Sequence, residues 1–144
     1  MWIIYALSAA VLWGMTYTLD EQIYKYISIP TSLAFASFFA FIAMFVWSYF
    51  SGSLNQDIST IISSKKAFVF VLFGVLTFVA AELMIGFSIR SKNATLASII
   101  EISYPLFIAL FSYLLFNEQR LNLTLIIGGV LIFTGVTIIY VFNR

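Results

Sequence analysis

The stretch Ala67-Phe-Val-Phe-Val-Leu-Phe-Gly-Val-Leu-Thr-Phe-Val-Ala-Ala-Glu82-Leu-Met-Ile-Gly-Phe-Ser-Ile89 carries one ionisable side chain, that of Glu82. As an α-helix rising about 1.5 Å per residue it measures about 34 Å, enough to cross a hydrocarbon core about 30 Å thick. Four other stretches have the same character: Trp2–Leu19, Thr31–Phe50, Ala94–Phe116 and Leu121–Phe142. Each must be helical in a bilayer, because lipid offers no partner for an exposed backbone N–H or C=O. The sequence therefore predicts an all-α integral membrane protein with five transmembrane helices.

Composition supports the bilayer as solvent. Of 144 residues, 62% are hydrophobic and only 9% charged, against about 45–50% and about 25% in soluble chains. Seven cationic and six acidic side chains cannot cover a water-soluble surface, and a net charge of +1 offers no footprint for nucleic acid. With no Cys and no His, disulfides, thiolate chemistry, zinc sites and His-based catalysis are excluded. No nucleophile–base pair, metal cluster or phosphate loop is apparent, so neither an enzyme nor a cofactor is expected.

The connectors are short. Asp20–Pro30 ends in a helix-starting Pro, Ser51–Lys66 is polar and contains Gly, Ser and Asn, and Arg90–Asn93 and Asn117–Arg120 read as tight turns. None can separate domains, so residues 1–144 form a single bundle. The first segment lacks a basic flank and a convincing cleavage context, and it reads as an uncleaved helix. The N-x-T triplets at Asn93 and Asn122 sit at helix starts, too close to the membrane for glycosylation.

An odd number of crossings places the two ends of the chain on opposite sides. Lys65, Lys66 and Arg120 then fall on one side and Lys25, Arg90, Lys92 and Arg144 on the other. The near balance gives no orientation by the positive-inside rule. Either a determinant other than the count sets the topology, or the chain inserts both ways and pairs with an inverted copy.

The last third carries a family pattern: Ala94-Thr-Leu-Ala-Ser-Ile-Ile-Glu-Ile-Ser-Tyr-Pro105, an apolar run to Phe116, Asn117-Glu118-Gln-Arg-Leu121, and Ile127-Gly-Gly-Val-Leu-Ile-Phe-Thr-Gly135. With Leu12-Trp13-Gly14 in the first helix, this resembles the EamA-type family of the drug/metabolite transporter superfamily. The family often has an acidic residue immediately before the Pro of the fourth helix. Here Tyr104 stands there, and the acid, Glu101, lies one turn earlier. Most members fuse two five-helix repeats of opposite orientation, so the resemblance implies one half of an inverted-repeat transporter architecture. The other half would come from an antiparallel homodimer or a five-helix partner chain.

Glu82 and Glu101 are the first candidates for a substrate or proton site. Each lies about seven residues, roughly 10 Å, from the same membrane surface on helices joined by a short turn. An ionisable group there costs at least about 2.5 kcal/mol, so it faces a cavity or a partner. Two carboxylates in one cavity cannot both ionise freely, which is what proton coupling requires. Ala94, Ala97, Ser98, Tyr104, Pro105, Ile108 and Ser112 share the side of Glu101 at about 100° per residue. Pro105 lacks the N–H that would bond the Glu101 carbonyl. The plainer alternative is that both acids only bond neighbouring helices.

Trp13 lies about six residues inside its helix, deeper than the interfacial positions of Trp2 and Trp47. It shares a face with Ala6, Ala9, Thr16, Tyr17 and Asp20. Trp13, Tyr17 and Tyr104 beside carboxylates would suit an organic cation or amphipathic substrate through cation–π contact, although packing explains many aromatics in a chain that is 19% aromatic. Thr124, Gly128 and Gly135 form one small-residue stripe and Ala6, Ala10 and Gly14 another; each suits packing within the chain or a dimer seam. Glu118 reads as a structural cap at the start of the last helix.

These readings converge on a small-molecule transporter of the cytoplasmic (inner) membrane: an exporter or a proton-coupled antiporter of drugs or metabolites. It would work by alternating access as an antiparallel dimer. A subunit of a heteromeric lipid-linked sugar or metabolite flippase, and a non-transporting membrane accessory protein, remain as alternatives.

Overall fold

The structure, a computed structural model, describes residues 1–118 and 122–142. These residues contain seven helices and no strand: α1 Trp2–Ile23, α2 Ile29–Phe50, α3 Leu54–Ser63, α4 Lys65–Ser91, α5 Ala94–Glu101, α6 Tyr104–Phe116 and α7 Leu123–Phe142. Five spans are long and apolar enough to cross a membrane, with α5 and α6 together, Ala94–Phe116, making one of them. The chain is thus an integral multi-pass membrane protein. Phe50 and Trp2 stand 82% and 76% exposed, as expected where hydrocarbon replaces water as solvent.

Helix starts are fixed by local hydrogen bonds. Ser28 caps α2 by accepting from the Thr31 N–H at 3.4 Å, with Pro30 in the first turn. Ser64 accepts from the Ala67 N–H at 3.3 Å at the start of α4. At α5, Asn93 Oδ1 accepts from Leu96 N–H at 2.8 Å and Glu21 Oε2 accepts from Ala94 N–H at 2.7 Å. The Glu21 bond satisfies a helix-end donor with a side chain from α1 and ties the two elements together.

The buried core is small and lies at one end of the bundle. Tyr24, Ile29, Ile89, Ala94 and Ala97 form it, with Tyr17, Leu33, Leu83 and Ile85 packed against it. Gly86 lets this core close up: a Cβ there would lie 2.7 Å from Ile29 Cγ2 and 3.2 Å from Tyr24 Oη. Burial, then the charges of Asp20 and Glu82, push the Tyr24 hydroxyl up to about 12, so Tyr24 keeps its proton. A second close approach places Gly129 of α7 against the Leu106 side chain of α6.

The helices depart from the sequence expectation in three places. First, α1 continues through Asp20, whose carbonyl accepts from Tyr24 N–H at 2.9 Å, so Asp20 and Glu21 belong to the helix and not to the connector. Second, Ser51–Lys66 is not an irregular connector. Leu54, Ile58, Ile61 and Ile62 recur at i, i+4, i+7 and i+8, giving α3 an apolar face of the kind that lies along a membrane surface. Gly52, at φ 77°, makes the turn into it.

Third, the fourth span is broken. The Pro105 ring would collide with the carbonyl four residues earlier, at Glu101. α5 ends at that residue and α6 restarts at Tyr104. In the gap, Ser103 N–H and Oγ both reach the Ile100 carbonyl, at 3.3 and 2.8 Å, and Leu106 N–H bonds Ser103 O at 3.1 Å. The expected start of the last helix at Leu121, and the assignment of Arg120 and Arg144 to opposite sides, lie outside the described residues. α7 is described from Leu123, where Asn122 Oδ1 accepts from Leu125 N–H at 2.8 Å.

Candidate functional site

The helix break exposes a cavity of about 480 Å³ between α1, α4 and the α5–α6 junction. Trp13, Gly14 and Tyr17 come from α1 and Glu82 from α4, while Glu101 and Tyr104 flank the break. On α1, Trp13 and Tyr17 lie one turn apart, their ring centroids separated by 5.5 Å. The α1–α5 packing then brings Tyr17 to Glu101, where its hydroxyl donates to Oε2 at 2.8 Å and lies 3.0 Å from Oε1. One phenolic proton is shared by a carboxylate, so this bond is strongest while Glu101 is ionised.

Glu82 and Glu101, which the sequence placed at matching depth, therefore line the same cavity. Both are half-buried. Trp13 and Tyr104 are 47% and 56% exposed, so the aromatic wall of this cavity is not closed by the described residues. Two carboxylates beside aromatic faces form a site suited to a cation and to competition between that cation and a proton.

The glycines of the small-residue stripes differ from those at the close contacts. A Cβ at Gly14, Gly128 or Gly135 would meet nothing within 4 Å, whereas Gly86 and Gly129 make the close contacts. Gly14 and Ala10 instead line the cavity, and Thr124 is exposed at the start of α7. Gly128 and Gly129 are adjacent, and the sequence pattern could not tell which of the two faces α6. Glu118 lies just past the end of α6, where Asn117 has φ 56° and Glu118 N–H reaches Ser112 O at 3.1 Å. At the start of α7, Asn122 Oδ1 accepts from Leu125 N–H at 2.8 Å.

Asp20, expected in the Asp20–Pro30 connector, lies on α1. Its spacing from Trp13 and Thr16 was the available signal, since the three share one face of α1. It lines a second cavity, of about 400 Å³, between α1, α2 and α4, and that cavity also includes Trp13 and Glu82. Among the described residues, no group of three or more His, Cys, Asp or Glu side chains is arranged to hold a metal ion.

The sequence model of the EamA-like transporter family matches residues 1–141. No curated protein and no solved structure matches the chain.

Proposed function

The chain belongs to the EamA-like transporter family, and from that premise we propose that it exchanges protons for a cationic or amphipathic small molecule across the cytoplasmic membrane. At the coarser level it is a membrane transporter of the drug/metabolite superfamily. The family is one of carriers, and the reading assigns this chain no covalent chemistry. The observation that carries the proposal is the Tyr17–Glu101 bond in the same cavity as Glu82.

The chemistry follows from charge. A carboxylate in the apolar span is costly unless something compensates it. A proton does so covalently, and a ligand cation does so by charge and by contact with Trp13 and Tyr17. The two compete for the same oxygens, so loading the cation releases the proton. In this reading Tyr17 orients the ionised Glu101 and Tyr104 completes the wall. The two residues between α5 and α6 let the half-helix carrying Glu101 shift without unwinding α6.

Alternating access needs a second five-helix unit of opposite orientation around the site. We assign it to an inverted copy of this chain, related by a closed two-fold axis. Supporting this are the incomplete aromatic wall at Trp13 and Tyr104 and the open stripe at Gly128 and Gly135. In weakly buffered detergent solution, tetraphenylphosphonium should release protons from the wild type and fail to do so from Glu82→Gln and Glu101→Gln. Undiminished release from both variants would refute the exchange.

A further inference from the structure

The second cavity has a shape that the proton-exchange site does not require. On α1 its wall is one face, Trp13, Thr16 and Asp20; on α4 it is Phe78 and Glu82, one turn apart. On α2 the row Ser32, Ala36, Ala40 and Met44 advances by four residues at each step and runs the length of the cleft, about 18 Å. Small side chains at Ala36 and Ala40 leave the groove open between the helices.

The two ends differ in chemistry. Asp20 lies about three residues, roughly 4.5 Å, from the end of α1, and with Glu82 and the buried Ser32 it makes one end polar and acidic. The other end is apolar, formed by Phe41, Met44 and Phe78, which are 64%, 67% and 55% exposed. That exposed mouth lies within the spans of α2 and α4, so it opens onto hydrocarbon. The volume lies within the range of about 300–1,000 Å³ typical of small-molecule sites.

We infer that the α1–α2–α4 cleft binds an amphiphile with a single cationic head and an alkyl tail, the head between Asp20 and Glu82 and the tail along Ala36 and Ala40. The acidic end selects the charge, because two carboxylates face the head and, among the described residues, no cationic side chain lines the cleft. The apolar mouth lets the tail enter from the bilayer without crossing water. Trp13 and Glu82 belong to both cavities, so a head bound here lies next to the Glu101 site. The cleft thereby specifies the substrate class of the proposed transporter. It rests on that reading only for the onward step, since binding in the cleft needs neither Glu101 nor proton exchange.

The test uses the full chain in lipid nanodiscs, with Trp2→Phe and Trp47→Phe leaving Trp13 as the sole tryptophan. The probe is dodecyltrimethylammonium brominated at the tail, whose bromine quenches a nearby indole. The expected result is saturable quenching of Trp13, absent with the neutral brominated dodecanol. Asp20→Asn, which keeps the shape, should weaken binding about tenfold through loss of a charged partner. Ala40→Phe should remove the saturable component by filling the groove.

Equal quenching by the neutral probe, or unchanged binding in both Asp20→Asn and Ala40→Phe, would overturn the inference. The two readings fail separately. Glu101→Gln lies outside the cleft and reports on proton exchange, whereas Ala40→Phe lies outside the Glu101 cavity and reports on the cleft.

Discussion

Replacing Tyr17 with Phe removes one oxygen and with it the bond between α1 and the last residue of α5. In membrane proteins an interhelical hydrogen bond is worth about 0.6 kcal/mol on average, because a helix separated within the membrane finds other partners. Here the acceptor is a carboxylate held at 2.8 and 3.0 Å from the hydroxyl, and an ionised partner raises the value to about 1.5 kcal/mol or more. Tyr17→Phe should therefore destabilise the protein by about 1.5 kcal/mol. In a Glu101→Gln background the hydroxyl still finds a neutral acceptor, so the same replacement should cost only about 0.5 kcal/mol.

The coupling between the two positions is then about 1 kcal/mol, above the scatter of about 0.3–0.5 kcal/mol expected of independent sites. SDS titration from mild detergent in alkaline buffer, on the wild type, both single variants and the double variant, measures it. A cost for Tyr17→Phe that is the same in both backgrounds would refute the reasoning, because it would make the effect of Tyr17 packing alone.

Other outcomes follow from the close contacts and the helix break. Gly86→Ala should cost about 1–3 kcal/mol in the same titration, since its Cβ would press on Ile29 and Tyr24. Gly128→Ala, whose Cβ meets nothing within 4 Å, should stabilise the monomer by up to about 0.5–1 kcal/mol through helix propensity while weakening self-association in a cross-linking assay. Asn93→Ala should lower stability by about 1 kcal/mol through loss of the α5 cap. Pro105→Ala restores a backbone N–H and should fuse α5 with α6, raising helical circular dichroism while abolishing cation-induced proton release.

The spans were legible because hydrocarbon thickness leaves few solutions for a run such as Ala67–Ile89. The pairing of Glu82 with Glu101 was legible for a related reason, since equal distance from a shared short turn fixes equal depth. The features that escaped depend on contacts between helices or on short local signals. α3 was hidden because its four apolar residues are diluted by Asn, Gln, Ser and Thr. Pro105 marks Glu101 as the carbonyl that loses its bond, but a proline can kink a helix without ending it, and the Ser103 bonds across the gap are set by the folded backbone. Asp20 falls outside the expected span because the apolar run ends at Leu19, although the helix itself continues to Ile23. The choice between Gly128 and Gly129 as the packed residue turns on about 100° of helix rotation, which Leu106 decides in the folded chain.

The claim that an inverted copy supplies the second half of the carrier is tested most directly by topology. Reporters active only in the cytoplasm or only outside it would be fused in turn after Arg144. The account predicts comparable signals from both reporters, together with cross-linked dimers of opposite orientation. Signal from one reporter alone would contradict the inverted pair and would move the second half to a separately encoded five-helix chain, as in a heteromeric flippase, or to no transporter at all.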